Sequence, residues 1–453
     1  MNASSTTDLT TGRPITRILI FSIPLVLGTI FQQLYSFADT VIVGRCIGVD
    51  ALAAVGTTYS LHFLTLGFVQ GTCIGFGIPI AQSFGAKNDT DVRRFLWNGV
   101  WLCIIISLFL AVGMTLLARP LLCLIQTPEE LLSMAVIYIQ VLFAGIPASV
   151  LYNYSASVLR AVGDSKHPFY FLLISCILNV ILDYVFIVPF QMGIFGAAFA
   201  TVLSQLISGL LNCWWAFSKI ELIRIHKEEL PISVPHIKRL CYVGLPMGFE
   251  YSVSAIGAIV MQGAINSLGS ALVAAQTAGE KIRQLFTLPM ESVGMAMATY
   301  AGQNYGAKRF DRVKQGITSG LTIQFLYCIV AWSAIFLFKK PLVVLVLGES
   351  TSETAVGAIQ YLTLISNLFL IHGSLMIFRN TLQGLGYSFH AILSGIGELI
   401  GRSMGGLLAV EWFGFTAICY ANPLAWFLAL CYCVFMVTLV LKKKTSIHNS
   451  VQA

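Results

Sequence analysis

The stretch from Ile174 to Val188 reads ISCILNVILDYVFIV. It is almost wholly apolar, yet it carries an amide at Asn179 and a carboxylate at Asp183, four residues apart. On a helix these two side chains lie on one face, about one turn from each other. The run is apolar enough to lie in a bilayer, where a lone carboxylate costs several kcal/mol. We therefore expect Asp183 to face protein or water, with Asn179 as a second oxygen donor; the alternative is a buried polar pair that only pins neighbouring helices.

The composition of the chain is that of a membrane protein. Hydrophobic residues make up 57% of the 453 residues and charged residues 10%, whereas a soluble domain is about 25% charged. The 27 Lys and Arg residues exceed the 20 Asp and Glu residues, but they are sorted by loop and do not indicate nucleic-acid binding. The eleven cysteines are scattered through apolar runs, so we expect free thiols, with no metal site and no cofactor. The polar N-terminus does not resemble a cleaved signal peptide.

Apolar runs long enough to cross a bilayer predict the fold class. A spanning helix needs about 20 apolar residues, and twelve such runs are present. The predicted spans are 17–44, 52–81, 95–118, 131–158, 167–190, 194–217, 237–267, 272–303, 317–337, 356–384, 389–410 and 413–441. Prolines inside several spans, among them Pro24, predict kinks or tilts. We therefore predict an all-α polytopic membrane protein with twelve transmembrane helices.

The loop charges predict the orientation of the chain. Nineteen Lys and Arg residues lie at the termini and in the even-numbered loops, and four lie in the odd-numbered loops. Basic residues concentrate in short cytoplasmic loops, so both termini are predicted to be cytoplasmic. Orientation is a sufficient explanation of these basic loops.

The two halves of the chain resemble each other. The triplet Ile23-Pro24-Leu25 recurs as Leu245-Pro246-Met247, and the turn QSFGAK at 82–87 recurs as QNYGAK at 303–308. Two further matches pair 51–54 with 271–274 and 159–163 with 382–386. Six spans per half is an even number, so both halves enter the membrane from the same side, related by a pseudo-two-fold axis along the membrane normal.

This repeat predicts the domain organisation. We expect an N-terminal six-helix lobe at 1–217, a cytoplasmic linker at 218–236, and a C-terminal six-helix lobe with a basic cytoplasmic tail at 237–453. Two lobes that rock about a central cavity are typical of transporters. A channel or a structural protein could also be duplicated.

Polar residues from three predicted spans reach a similar depth. Counted from the outer ends of their spans, Asp39 lies about 8 Å deep, and Asp183 and Thr201 lie about 10 Å deep. Carboxylate, amide and hydroxyl oxygens are hard ligands for a small cation, and two nearby buried carboxylates also suit a proton site. We predict that Asp39, Asn179, Asp183 and Thr201 form a cation-coupling site, with no metal beyond a transient Na⁺. The alternative is that Asp39 caps or crosslinks helices and Thr201 only packs.

The predicted spans of the second half carry Glu rather than Asp. Glu398 and Arg402 are four residues apart in one span, and we predict that they pair with each other. Glu250 and Glu280 are candidate cavity-lining residues, although basic neighbours of Glu280 could neutralise it. Met290 offers an adaptable apolar wall, though a methionine that packs or faces lipid is more common.

With these motifs, the chain resembles the multidrug and toxic compound extrusion (MATE) family of cation-coupled exporters over residues 15–441. The resemblance rests on Ala38-Asp39-Thr40-Val41, on the two Gln-x-x-Gly-Ala turns at 82–86 and 303–307, on Arg160-Ala161-Val162-Gly163-Asp164, and on Asn179 with Asp183. It implies two lobes in a V shape around a central cavity.

The resemblance also implies roles for single residues. Asp39, Asn179, Asp183 and Thr201 match the cation site of the family's first lobe. Pro24 corresponds to the proline at which the first span of some members bends, and it is the expected hinge. Members with a second-lobe site carry an acid in span 10, and span 10 has none here. We therefore assign coupling to the first lobe.

The implied function is that of a secondary active antiporter, not an enzyme. It would export cationic amphiphilic drugs or xenobiotics in exchange for Na⁺ or H⁺, as a monomer in the cell membrane, with lipid and small organic cations as its partners. One alternative is a flippase or exporter of a lipid-linked or endogenous metabolite, which a strongly cationic cavity would favour. The other is an intramembrane enzyme, but the short loops carry no metal triad, no nucleophile with its base and no phosphate cradle.

Overall fold

The computed structural model describes residues 7–224, 226–348, 351–408 and 410–452, and every secondary-structure element within these ranges is helical. The helices of the first half are α1 (Pro14–Cys46), α2 (Val49–Gly85), α3 (Asp89–Leu124), α4 (Glu129–Ala144), α5 (Ile146–Ala161), α6 (Lys166–Ile187) and α7 (Gly193–Lys219). Those of the second half are α8 (Val234–Asn266), α9 (Ser270–Gly306), α10 (Phe310–Leu347), α11 (Glu353–Ser366), α12 (Phe369–Gly384), α13 (Ser388–Ser403), α14 (Val410–Phe413) and α15 (Phe415–Gln452). Short 3-10 turns at Glu221–Ile223 and Lys227–Glu229 precede α8, and a π-helical turn at Met404–Leu408 precedes α14.

Each predicted span corresponds to one helix or to a group of adjoining helices. Within the described ranges, seven helices are long and apolar enough to cross a membrane, and two bent pairs raise this number to nine. The other three predicted spans correspond to α8, to α9, and to α13 with the π turn and α14. Charged residues interrupt α8 and α9, and α13 has 16 residues. All eleven cysteines are free, as predicted.

Two of the predicted spans are broken in the middle. α4 and α5 meet at Gly145 with a bend of 45°, and α11 and α12 meet at 367–368 with a bend of 51°. Pro147 lies in the first turn of α5, where the missing amide hydrogen is not needed by the helix. The two breaks lie at equivalent positions of the sequence repeat.

The turns after α2 and α9 have the same backbone geometry. Lys87 and Lys308 both adopt a φ of 57°, the left-handed conformation that commonly ends a helix. The amide after each lysine donates to the carbonyl five residues earlier, over 3.0 Å from Asn88 to Ser83 and over 2.9 Å from Arg309 to Asn304. The internal repeat therefore extends to backbone hydrogen bonds.

The chain divides into two compact units. Unit 1 comprises Met1–Asp8 and Leu27–Gly248, and unit 2 comprises Leu9–Val26 and Phe249–Ala453. The division falls inside α1 and inside α8, two residues after Pro24 and Pro246 respectively, whereas the predicted lobes divide at the linker. Each of these two helices therefore contributes its first part to one unit and its second part to the other.

Buried apolar side chains hold each unit together. The core of unit 1 is built mainly from α2, α3, α4, α5 and α7, with Phe76 and Phe143 fully buried. The segment before α8 packs on α3 in the same unit, where Glu229 pairs with Arg93 and the amide of Ser233 donates to Oδ1 of Asn98 over 2.7 Å. Unit 2 has two core clusters. The predicted polar sites lie within these packed units.

Candidate functional site

Asp39 of α1 and Asp183 of α6 come together in unit 1. Their carboxyl groups interact electrostatically with each other. Asp183 is fully buried, and Asp39 is partly exposed. Two carboxylates this close repel each other unless a proton or a cation neutralises one of them. The structure therefore joins two acids that are far apart in the sequence.

Asn179 and Thr201 complete the predicted group. Asn179 is 1% exposed and lies one turn before Asp183 on α6. Its Nδ2 donates to Oγ1 of Thr201 on α7 over 3.4 Å, which is long for a hydrogen bond. Oγ1 of Thr201 itself donates to the carbonyl of Ala197 over 3.2 Å. α6 thus presents an amide and an acid on one face, and α7 adds a hydroxyl.

Four buried oxygens of this group have no hydrogen-bond partner among the described residues. They are Oδ1 of Asp39, Oδ1 of Asn179, and Oδ1 and Oδ2 of Asp183. A buried acceptor without a partner costs about 1–3 kcal/mol, and more when it is charged. Such oxygens are the ligands that hard cations prefer, and a proton on one carboxyl group would let it donate to the other. The residues present therefore fit either Na⁺ or a proton.

Two tyrosines beside the acids were not identified from the sequence. Tyr35 of α1 and Tyr138 of α4 both interact electrostatically with Asp39 and Asp183. Tyr35 lies four residues before Asp39, so helical spacing contained a signal for it. Tyr138 gave no signal, because the apolar run that contains it has no acid.

In unit 2 the buried acids are paired with arginines. Arg379 of α12 donates through Nη1 to Glu250 of α8 over 2.8 Å and through Nη2 to Glu398 of α13. Nη2 of Arg402 donates to the other oxygen of Glu398 over 2.9 Å, which confirms the predicted pair. Nε2 of Gln383 donates to Glu250 over 2.7 Å. Glu250, which is 5% exposed, therefore lies inside an ion network.

The other two candidate cavity-lining residues, Glu280 and Met290 of α9, also have close protein neighbours. Glu280 accepts a hydrogen bond from Nε of Arg283 over 2.8 Å, and Met290 is fully buried in a core cluster. The side chain of Glu291, in contrast, is 46% exposed, and its Oε1 lies 3.8 Å from Nε2 of His372. Glu291 is thus less tightly paired than Glu280.

Pro24, the predicted hinge, is buried within α1 just before the helix passes from unit 2 to unit 1. A proline inside a helix removes one backbone hydrogen bond and crowds the carbonyl four residues earlier. Pro24 therefore stays the predicted hinge of α1.

Comparison with known proteins places the chain in a family. The family model MatE matches residues 24–185 and 246–398. Two relatives from Bacillus subtilis are the probable multidrug resistance protein YoeA, 28% identical over 374 residues that cover 81% of this chain and 80% of the relative, and the probable multidrug resistance protein YpnP, 30% identical over 312 residues that cover 68% of each.

A solved structure shares the fold. The crystal structure of MATE in complex with MaL6 matches with a TM-score of 0.91 at 21% identity, over 98% of this chain and 100% of that chain. At 21% identity the similarity shows the fold alone. It confirms the predicted all-helical, two-lobed fold class. From the family match across both halves, the two relatives and the shared fold, we conclude that the chain belongs to the MatE family of multi-span membrane transporters.

Proposed function

We propose that this transporter exports cationic amphiphilic drugs or xenobiotics in exchange for Na⁺ or H⁺. The main support for the proposal is the pair of Asp39 and Asp183, because three of their four carboxylate oxygens are buried without a hydrogen-bond partner among the described residues. An unpaired acid within a membrane span is a functional candidate by default. Relatives named as probable multidrug resistance proteins support an organic substrate.

In the proposed exchange, the coupling ion and the cationic substrate compete for the negative charge of Asp39 and Asp183. A cation or proton that enters from outside binds at Asp39 and Asp183 and neutralises them. It thereby lowers the affinity for a positively charged substrate, which leaves. By linkage, the substrate lowers the affinity for the coupling ion by the same factor, typically about 5- to 150-fold. Asn179 and Thr201 supply oxygens to Na⁺, or hydrogen-bond partners to a protonated carboxyl group.

Alternating access uses α1 as the moving element. Asp39 and Pro24 lie on this helix, about 22 Å apart along its axis. A change of charge at Asp39 alters the packing of the second part of α1 in unit 1, and a hinge at Pro24 lets the first part respond separately. Ion binding is thus linked to a hinge through one continuous helix.

We infer a monomer in the cell membrane with both termini in the cytoplasm. The sorting of basic residues among the loops supports this orientation. A monomer is sufficient to form the coupling site, because the side chains of this site all belong to unit 1 of a single chain.

The test is efflux of a cationic dye from proteoliposomes, driven separately by an imposed Na⁺ gradient and an imposed pH gradient. We expect wild-type efflux under one gradient only, which identifies the coupling ion. We expect the double variant Asp39→Asn, Asp183→Asn to fall to the leak of protein-free vesicles. The matched control is Asp50→Asn, the same chemical change at an exposed position near the start of α2, which should retain wild-type efflux.

Two outcomes contradict the proposal. Wild-type gradient-driven efflux by the double variant would remove the two acids from coupling. If folded wild-type protein moved no dye under either gradient, an endogenous or lipid-linked substrate would become the better explanation.

A further inference from the structure

Unit 2 contains a groove between α10, α12 and α15, well separated along the sequence from the residues of the coupling site. Its volume is about 500 Å³, which lies within the usual range of small-molecule sites. The lining includes two lysines, Lys314 and Lys442, together with apolar and hydroxyl side chains. The proposed transport function uses none of these residues.

The groove has an apolar base and a basic rim. Ile317, Val437 and Leu441 are 9%, 1% and 5% exposed, whereas Lys314 and Lys442 are exposed. The ammonium group of neither lysine has an ion-pair or hydrogen-bond partner within the described part of the chain. Two ammonium groups that face one groove repel each other and favour an anion between them. The groove is therefore suited to an amphiphile with a negatively charged head.

The groove lies at the height of lipid headgroups if the predicted orientation holds. Lys314 is four residues from the start of α10, about 6 Å along the helix axis, and Lys442 begins the basic run that ends with Lys444. Loop charges assign this end of the helices to the cytoplasmic side. Val437 lies about 7 Å deeper than Lys442 on α15, at the level of the acyl chains.

The surface of α15 beside the groove is suited to contact with lipid. Phe435 and Leu439 are 61% and 46% exposed, which is expected for side chains that face acyl chains. A soluble anion would gain nothing from an apolar base, and a cationic substrate would be repelled by the two lysines. The two lysines together with the apolar base of the groove therefore favour an anionic amphiphile over a soluble anion or a cationic substrate.

We propose that this groove binds one anionic phospholipid, with the phosphate between Lys314 and Lys442 and the first part of an acyl chain against Ile317, Val437 and Leu441. Basic pockets between helices at the cytoplasmic side are known to accept anionic headgroups. The bound lipid contacts α10, α12 and α15, so it holds these three helices of unit 2 together.

Native mass spectrometry of the purified full-length protein in detergent tests this site without depending on transport. Added phosphatidylglycerol should be retained as one molecule per protein, and phosphatidylcholine should not. Each basic residue near anionic lipid contributes about a factor of five in affinity, so Lys314→Gln with Lys442→Gln should weaken binding about 30-fold. The matched control, Lys227→Gln with Lys238→Gln, removes two exposed lysines of unit 1 and should bind as wild type does.

A second variant keeps the net charge. Thr438→Trp places a large side chain in the groove, where Thr438 is exposed, and it should also abolish retention of phosphatidylglycerol. Thermal unfolding in detergent alone shows whether each variant is folded. Equal retention of the lipid by wild type and by the folded double-lysine variant would overturn the proposal. Full displacement of the lipid by equimolar glycerol phosphate would overturn it as well, because the groove would then recognise a soluble phosphate.

Discussion

Replacing Asn179 should have different effects on transport, depending on whether Na⁺ or H⁺ is the coupling ion. In the proposed site, Na⁺ would take the amide oxygen of Asn179 as a ligand, whereas a proton would bind to a carboxyl group and Asn179 would contribute only a hydrogen bond. A hydrogen bond or ligand contact to a charged group contributes about 1.5–3 kcal/mol. If Na⁺ is the coupling ion, Asn179→Ala should raise the Na⁺ concentration for half-maximal dye efflux at least about tenfold. If H⁺ is the coupling ion, the pH-driven rate should change by less than about threefold.

The control for this measurement is Asn266→Ala, which makes the same change at an exposed position of α8. Its ion dependence should match that of the wild type. Thr201→Val should act in the same direction as Asn179→Ala under sodium coupling. Unchanged Na⁺ dependence of both variants in a sodium-driven transporter would place the ion away from α6 and α7.

Local spacing explains why the sequence predicted part of this site. Asn179 and Asp183 lie one turn apart on a single helix, and depth counting brought Asp39 to the same level. Tyr138 could not be predicted, because its proximity to the acids depends on how α4 packs within unit 1, where it contacts α2, α3 and α7. A tyrosine in an apolar span is most simply interpreted as a packing residue, and only the structure shows which polar groups lie near its hydroxyl.

At the scale of the element, α1 should act through a hinge at Pro24. Pro24→Ala restores a backbone hydrogen bond and removes the proline clash, so α1 should become straighter and stiffer. We expect dye efflux to fall at least about tenfold, while the melting temperature in detergent stays equal or rises, since a proline inside a helix costs about 3 kcal/mol. Efflux assays and thermal unfolding measure the two effects separately.

The matched control is Pro120→Ala, because Pro120 also lies inside a helix, α3, but far from the boundaries between units. That variant should transport as the wild type does. Wild-type efflux by Pro24→Ala would show that a hinge at Pro24 is not needed for turnover.

Hydropathy predicts the extent of a membrane span but not the residue at which its helix breaks. The sequence predicted residues 131–158 as one span with a kink or tilt at Pro147, and the structure has a bend of 45° at Gly145, two residues before this proline. A Cβ atom at Gly145 would clash with the side chain of Val202 on α7. The bend therefore lies where the chain closely approaches α7, and a hydropathy pattern contains no information about such an approach.

At the scale of the whole molecule, the two halves share backbone geometry but differ in charge. The repeat was predictable because its motifs recur at a nearly constant offset, and the matching turns at Lys87 and Lys308 have the same φ. The pairing of Glu250 with Arg379 was not predictable, since it joins α8 to α12 across more than a hundred residues. The pair Glu398–Arg402 was predicted because it spans a single helical turn.

This difference predicts opposite effects of neutralising an acid in the two units. Asp183 is buried without a partner, so Asp183→Asn should abolish ion-dependent efflux and leave the melting temperature equal or higher. Glu250 is buried in an ion pair with Arg379, and removing one partner of a buried pair costs about 3–5 kcal/mol. Glu250→Gln should therefore lower the melting temperature by several degrees, while the remaining efflux keeps its dependence on the coupling ion.

The double variant Glu250→Gln, Arg379→Met separates pairing from coupling. It removes both charges of the pair, so no buried arginine is left at position 379 with one counterion missing, and the melting temperature should recover part of the loss seen in Glu250→Gln. Thermal unfolding in detergent and efflux at several ion concentrations measure both quantities on the same preparations. If Glu250→Gln abolished ion dependence without lowering the melting temperature, Glu250 would be a coupling acid, and unit 2 would contribute to ion binding. If the predicted pattern holds, the charges of unit 2 stabilise the fold and unit 1 alone couples the ion to the substrate.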